Sequence, residues 1–330
     1  CHNAAERGHI EILQWARAQD PPCQWDHRIY NHAARNGHLD VLEWLKAQDA
    51  PVNLDPTVCM LAAKSGHLHV LQWARAQEPP FAFDECICSD AAGNGHLEIL
   101  QWLRSQDPPC PWNETVCKAA ALHGHLDVLQ WARAQNPPCE WSTRLCVNAA
   151  FNCHLDVLKW ARAQDPPCPW DEIVASSAAK NGHLDVLQWI RAQNPPCPWN
   201  AWVCSAAAQR GHLNMLQWAR SQDPPCPWDE EVCRVVALNG HLDVLKWARA
   251  QEPPCPWDAN VCVRAAANGH LEMLKWARAQ DPPCPFPVSE IAVCAKAASG
   301  HAEVLAWIRE HELEVLAATS AQNNNSPSSG

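Results

Sequence analysis

Glycine followed by histidine recurs every 29 residues, at Gly8, Gly37, Gly66, Gly95, Gly124, Gly182, Gly211, Gly240 and Gly269. Cys153 stands in the glycine slot before His154, and a last pair, Gly300 and His301, follows after 31 residues. Eleven copies of one unit therefore run from end to end, the first of them truncated. A unit this short cannot bury its own apolar face and must stack on its neighbours, so the chain has to fold as a solenoid. The array is expected to span residues 1–312, with 313–330 forming a helix end and a tail. From Thr319 onward that tail is rich in Asn and Ser, a composition that predicts disorder. Cys1 falls where a first helix should already be under way, so the sequence reads as a fragment that begins inside a repeat.

Each unit resolves into two helices and a proline-rich connector. In the unit around Gly240, Asp229 is the expected N-cap, and Val232, Cys233, Val236 and Ala237 form the apolar stripe of a short amphipathic helix. The cap slot holds Asp26, Asp55, Asp84, Asn113, Ser142, Asp171, Asn200, Asp229, Asp258 and Ser289. All of these side chains can accept from the orphan N–H groups of a first turn. Glycine after the stripe supplies a left-handed C-cap. The second helix, His241 to Arg249, is apolar over more than half its circumference, as suits a helix that touches its own hairpin mate and both neighbouring units. The connector Asp223-Pro224-Pro225-Cys226-Pro227-Trp228 cannot readily join a sheet, because three of its six residues lack an N–H. The expected fold is all-α, a solenoid of stacked helix-turn-helix repeats.

The run Ala-Ala-x-x-Gly-His-Leu-Asp-Val-Leu, as at Ala120 to Leu129 or Ala178 to Leu187, resembles the inner half of ankyrin repeats. It returns in register in nearly every unit. An ankyrin unit has about 33 residues and opens with Thr-Pro-Leu-His, whereas this chain has Trp-Asp-x-x-Val-Cys and is shorter. The resemblance implies ankyrin-like hairpins with the β-hairpin finger reduced to a proline turn or absent. It also implies that the outward face of the first helices contributes to a binding surface.

Nineteen cysteines admit three readings. Eight lie in the first-helix stripe and eight in the connector. A disulfide across a connector, such as Cys110 to Cys117, is conceivable, but hydrophobes replace one member in four units: Tyr30, Val52, Phe81 and Ala175. A small buried apolar site tolerates such replacement, so free thiols are expected, and with them a reducing compartment, cytosol or nucleus. Zinc wants paired ligands two to four residues apart, and only Cys86-x-Cys88 comes near. No metal or cofactor is expected. The repeated histidines are expected to cap the second helix and bond to the turn. Eleven tryptophans occupy one second-helix slot, from Trp15 to Trp307, and are expected in the core. Arginines such as Arg133 and Arg220 are expected to complement the helix dipole.

Positions that differ between units are where a partner can be recognised. Nine, six, five and two residues before the glycine slot, the first helices present Arg28, His32, Met60, Lys118, Arg144, Phe151, Trp202, Arg234 and Arg264, the residues expected to bind a protein partner. Ser205 and Gly93 fall on the same outward slots. This face counts eight basic against two acidic side chains, opposite in sign to a chain of net charge -11. Arginine and tryptophan exposed together are typical of interface anchors. The sequence therefore reads as a non-catalytic, monomeric protein-interaction scaffold. The alternative is an RNA-binding helical-repeat protein that reads bases with side chains from successive units. The net charge argues against a general hold on phosphate backbones, so nucleic acid is an unlikely partner on this reading. No phosphate loop, nucleophile-base pair or paired carboxylates stand outside the repeats, so no enzyme is expected. No apolar run reaches the roughly 18 to 20 residues needed to cross a bilayer.

Overall fold

The computed structural model describes residues 1–48, 56–78, 80–286 and 301–310. Stacked α-helical hairpins make up these segments, and no strand occurs among the described residues. No helix among them is long and apolar enough to cross a membrane. The caps expected at Asp55 and Ser289, and the tail from Thr319, lie outside the described residues. Contacts divide the chain into two compact units, Cys1–Trp170 and Asp171–Gly330. Within each, first helices pack closely on one another in series, while second helices meet less. The cause is side-chain size. First helices face each other with Ala and Cys, as in Cys117, Ala120 and Ala121 or Cys262, Ala265 and Ala266, all fully buried.

Most caps form as the residue types require. Asp84, Asn113, Asp171, Asn200, Asp229 and Asp258 each accept a backbone N–H of the first turn through the side chain. Ser142 makes no such bond, and Asp26 precedes its helix by one residue more, accepting from the N–H of Arg28 at 3.0 Å. At the other end of the first helices, Gly240 takes φ 80° and Gly66 φ 85°.

The glycine has a second reason to be glycine. A Cβ on Gly211 would lie 2.8 Å from the imidazole of His241, and one on Gly124 would lie 2.5 Å from that of His154. Each histidine thus packs flat against the turn of the preceding hairpin. Its role differs from the expected one: His241 heads its helix without a side-chain cap bond. Instead its Nε2–H donates to the carbonyl of Gln209 at 3.3 Å, as His38 does to Glu6 at 3.1 Å and His67 to Arg35 at 3.0 Å. These acceptors are last-turn carbonyls of the preceding first helix, left without intrahelical donors. A carbonyl only accepts, so the contact fixes the proton on Nε2.

The tryptophan ladder also departs from expectation. No second-helix indole among the described residues belongs to the buried core, which consists of Val, Leu, Ile, Met, Ala and Cys together with Tyr30 and Phe81. Apart from the exposed Trp15 the indoles are half-buried, and most make edge-to-face pairs with a connector aromatic, as Trp131 does with Trp112 at 5.8 Å and Trp247 with Trp228 at 5.9 Å. On its other side the connector indole receives an arginine from the previous second helix: Arg104 lies 4.3 Å from the centre of Trp112, and Arg220 4.2 Å from that of Trp228. The same guanidinium donates to the connector carbonyl, Arg220 to Cys226 at 2.6 Å. Arginine therefore does more than balance the dipole. It clamps the connector, and the indole passes that hold to the next unit. An exposed cation–π contact contributes about 0.5–1 kcal/mol and an aromatic pair about 0.5–1.5 kcal/mol beyond area burial.

The glycine slot yields a paired prediction for thermal unfolding. Gly211→Ala is expected to lower stability by roughly 1–3 kcal/mol, because it forces a side chain into both a left-handed backbone and the His241 ring. Cys153 already occupies that backbone region at φ 64°, so Cys153→Gly is expected to raise stability by roughly 1 kcal/mol.

Candidate functional site

Along each unit the outward slots of the first helices form a row, and the structure sorts the expected recognition residues into three groups. In the first, charge is already matched. Arg28 donates to Asp26 through Nε at 2.9 Å and Nη2 at 2.7 Å. The hydrogen bond with Arg28, helped by His2, holds the Asp26 carboxyl far below the usual carboxylate range. Arg234 reaches Asp258 at 2.5 Å, Glu231 at 3.5 Å and Glu230 at 3.6 Å, and Arg264 meets Glu231 at 3.0 Å. These contacts raise the Arg234 pKa and lower that of Asp258, each chiefly through the bond between the two. His32 approaches Glu6 at 3.8 Å and sets its ring edge-on to His2 at 5.7 Å.

The second group is apolar. Met60 is half-buried on the helix Thr57–Ser65. Phe151 ends the helix Thr143–Phe151 with 43% of its surface exposed. Trp202, second in the helix Ala201–Gln209, is 64% exposed while its backbone is fixed, the N–H donating to Asn200 Oδ1 at 3.0 Å and the carbonyl accepting from Ser205 Oγ at 3.2 Å. The indole therefore stands on a rigid base.

The third group is cationic and uncompensated. Lys118 and Arg144 are exposed and take part in no ion pair among the described residues. Arg35 shares that condition. The Asn148 side chain donates to the Lys118 carbonyl at 3.0 Å, tying one first helix to the next beside the lysine. Within the unit Cys1–Trp170, exposed Glu85 and Glu114 open consecutive first helices, so the row there alternates in sign. Asp90 is raised by burial, with Lys64 opposing the shift.

Two positions assigned to the outward row prove otherwise. Ser205 is 7% exposed and Gly93 is buried. At Gly93 a Cβ would meet that of Ala119 at 3.2 Å, so the neighbouring helix covers the slot. No cluster of three or more His, Cys, Asp or Glu side chains arranged for a metal ion occurs among the described residues.

No protein-family model matches the chain, and no curated protein matches it. Among solved structures it is similar to the pentatricopeptide repeat protein PPR10 in complex with an 18-nt psaJ RNA element, at 10% identity and a TM-score of 0.45, covering 94% of this chain and 53% of that one. A cysteine-substituted form of that complex gives the same figures. The maize PPR10 structure has 15% identity and a TM-score of 0.28. The chain spans about half the length of these proteins. What holds for this protein is the coarse class, a helical-repeat array; the ankyrin resemblance remains one of motif. The expectation of a protein-binding scaffold for which nucleic acid is unlikely is corrected, since the helical-repeat structures found include complexes with RNA. The net charge that favoured it describes the whole chain and not the first-helix row.

The matched charges give a pH prediction. The Asp258 pKa is lowered in the folded state, so its contribution is present above the ordinary carboxylate value and lost as pH falls through the folded value. Asp258→Asn is expected to lower the melting temperature at neutral pH, and the gap from the unsubstituted protein is expected to close on acidification below about pH 4.

Proposed function

We propose that the array binds single-stranded RNA along the first-helix row without performing chemistry on it. The observation that carries this reading is the combination, within the unit Cys1–Trp170, of the uncompensated cations Lys118 and Arg144 with the outward aromatic surface of Phe151, in a chain otherwise acidic; the unit Asp171–Gly330 presents Trp202 on its own row. Backbone phosphates need point charges not already satisfied by carboxylates. Unpaired bases need flat apolar surface to stack on, and the indole of Trp202 provides it. The alternation of sign along the row limits the number of phosphates held, so affinity rests on stacking and a few charges.

Fluorescence anisotropy with a labelled single-stranded RNA checks this. Trp202→Ala is expected to weaken binding by about 1–3 kcal/mol with little change in melting temperature. The double variant Lys118→Glu, Arg144→Glu is expected to weaken it further and to flatten the slope of log K against log salt by about 1.4 for a single strand. Absence of saturable RNA binding at about 50 mM salt, where phosphate contacts are strongest, sinks the proposal. Equal binding by the unsubstituted protein and all three substitutions removes the row as the site.

A further inference from the structure

The thiols also follow a register of 22 residues. Cysteine in the first-helix stripe and cysteine in the connector after the same hairpin are 22 residues apart. Both slots hold cysteine at Cys88 and Cys110, Cys117 and Cys139, Cys146 and Cys168, Cys204 and Cys226, Cys233 and Cys255, and Cys262 and Cys284. Cys1 and Cys23 share the register, and in the structure they are joined by a disulfide with a Cα–Cα distance of 6.8 Å. One hairpin has neither, carrying Tyr30 and Val52; only two are mismatched, Cys59 with Phe81 and Cys197 with Ala175.

Local structure brings the two cysteines of a hairpin together, although the connector thiol itself donates to the carbonyl of the first-helix cap residue, as Cys139 does to Asn113 at 3.3 Å and Cys110 to Asp84 at 3.2 Å. The connector cysteine is fixed through its backbone: the N–H of Cys139 donates to Ala132 O at 3.0 Å, and its carbonyl accepts from Arg133 at 2.7 Å. The thiol of Cys117 points to that carbonyl at 4.0 Å, as the Cys204 thiol points to that of Cys226 at 3.9 Å. The Cys233 thiol meets the carbonyl of Cys255 in the same way at 4.0 Å. The neighbouring thiol, followed by burial, pushes Cys88, Cys117, Cys226 and Cys255 well above the usual thiol range, while Cys117 lowers its partner Cys139, which makes Cys139 the nucleophile of that pair.

We infer that these six buried dithiols are oxidation sites that close into disulfides within their own hairpins, in the register already closed at Cys1 and Cys23. The oxidant is a low-molecular-weight disulfide such as oxidised glutathione. One thiolate attacks it, forming a mixed disulfide and releasing one thiol. The second cysteine then displaces the remaining glutathione, so two protein thiols lose two hydrogens and one oxidised glutathione becomes two reduced ones. Each link ties the first helix to the end of the second across one hairpin. The inference is independent of RNA binding.

Oxidation of the full chain in a glutathione redox buffer, followed by alkylation under denaturing conditions and peptide mass mapping, tests it. The expected result is links joining cysteines 22 apart, with Cys59 and Cys197 recovered as alkylated single thiols and a raised melting temperature. Ala175→Cys is expected to add one further link, to Cys197. Links in the connector register, such as Cys110 to Cys117, or full alkylation of all these cysteines after oxidation, overturn the inference.

Discussion

Everything in this chain hangs on the contact between a glycine turn and the histidine of the following hairpin. The turn is left-handed, which favours glycine, and at the glycines the next imidazole fills the space where a Cβ would stand, Cys153 being the exception. The same imidazole supplies the donor that the preceding helix lacks at its last turn. One dipeptide therefore serves helix termination, close packing and polar satisfaction together. That is why it repeats while neighbouring residues drift. Two subsidiary contacts act at the opposite end of the hairpin: the arginine clamp on the connector carbonyl, and the indole held between that arginine and the next second helix.

This division of labour leaves the outer slots of the first helices open to variation. Where two acidic neighbours reach an arginine, as at Arg234, the slot is consumed by the fold's own electrostatics. At Lys118 and Arg144 the charge stays available, and at Trp202 a capped, hydrogen-bonded backbone holds a large exposed ring. Net charge is thus a poor guide to recognition in an array, because acids are spread over both helices whereas a strand of partner would touch one row.

Cysteine illustrates the same distinction between residue type and placement. Small size explains why the stripe tolerates it, and the closely packed first helices require such small residues. In the connector slot the thiol also donates to the carbonyl of the first-helix cap residue, at Cys139 and equally at Cys197, a bond that size alone does not supply.

The sequence by itself determined the period, the helical hairpin, the cap residues and the glycine C-caps, because each depends on backbone rules acting over a few residues. It also named the outward slots, apart from Ser205 and Gly93, which neighbouring elements bury. Only the tertiary structure decided that the tryptophans form half-exposed clamps, that the histidines bond backward to the previous hairpin, that three of the row's arginines are matched by acids, and that cysteines pair 22 apart. The histidine bonds, the pairing of Arg234 and Arg264 and the cysteine register involve partners 22 to 33 residues away, and a repeat period states only that such partners recur. Which side chain faces which is set by the stacking geometry of neighbouring hairpins, which no local pattern encodes.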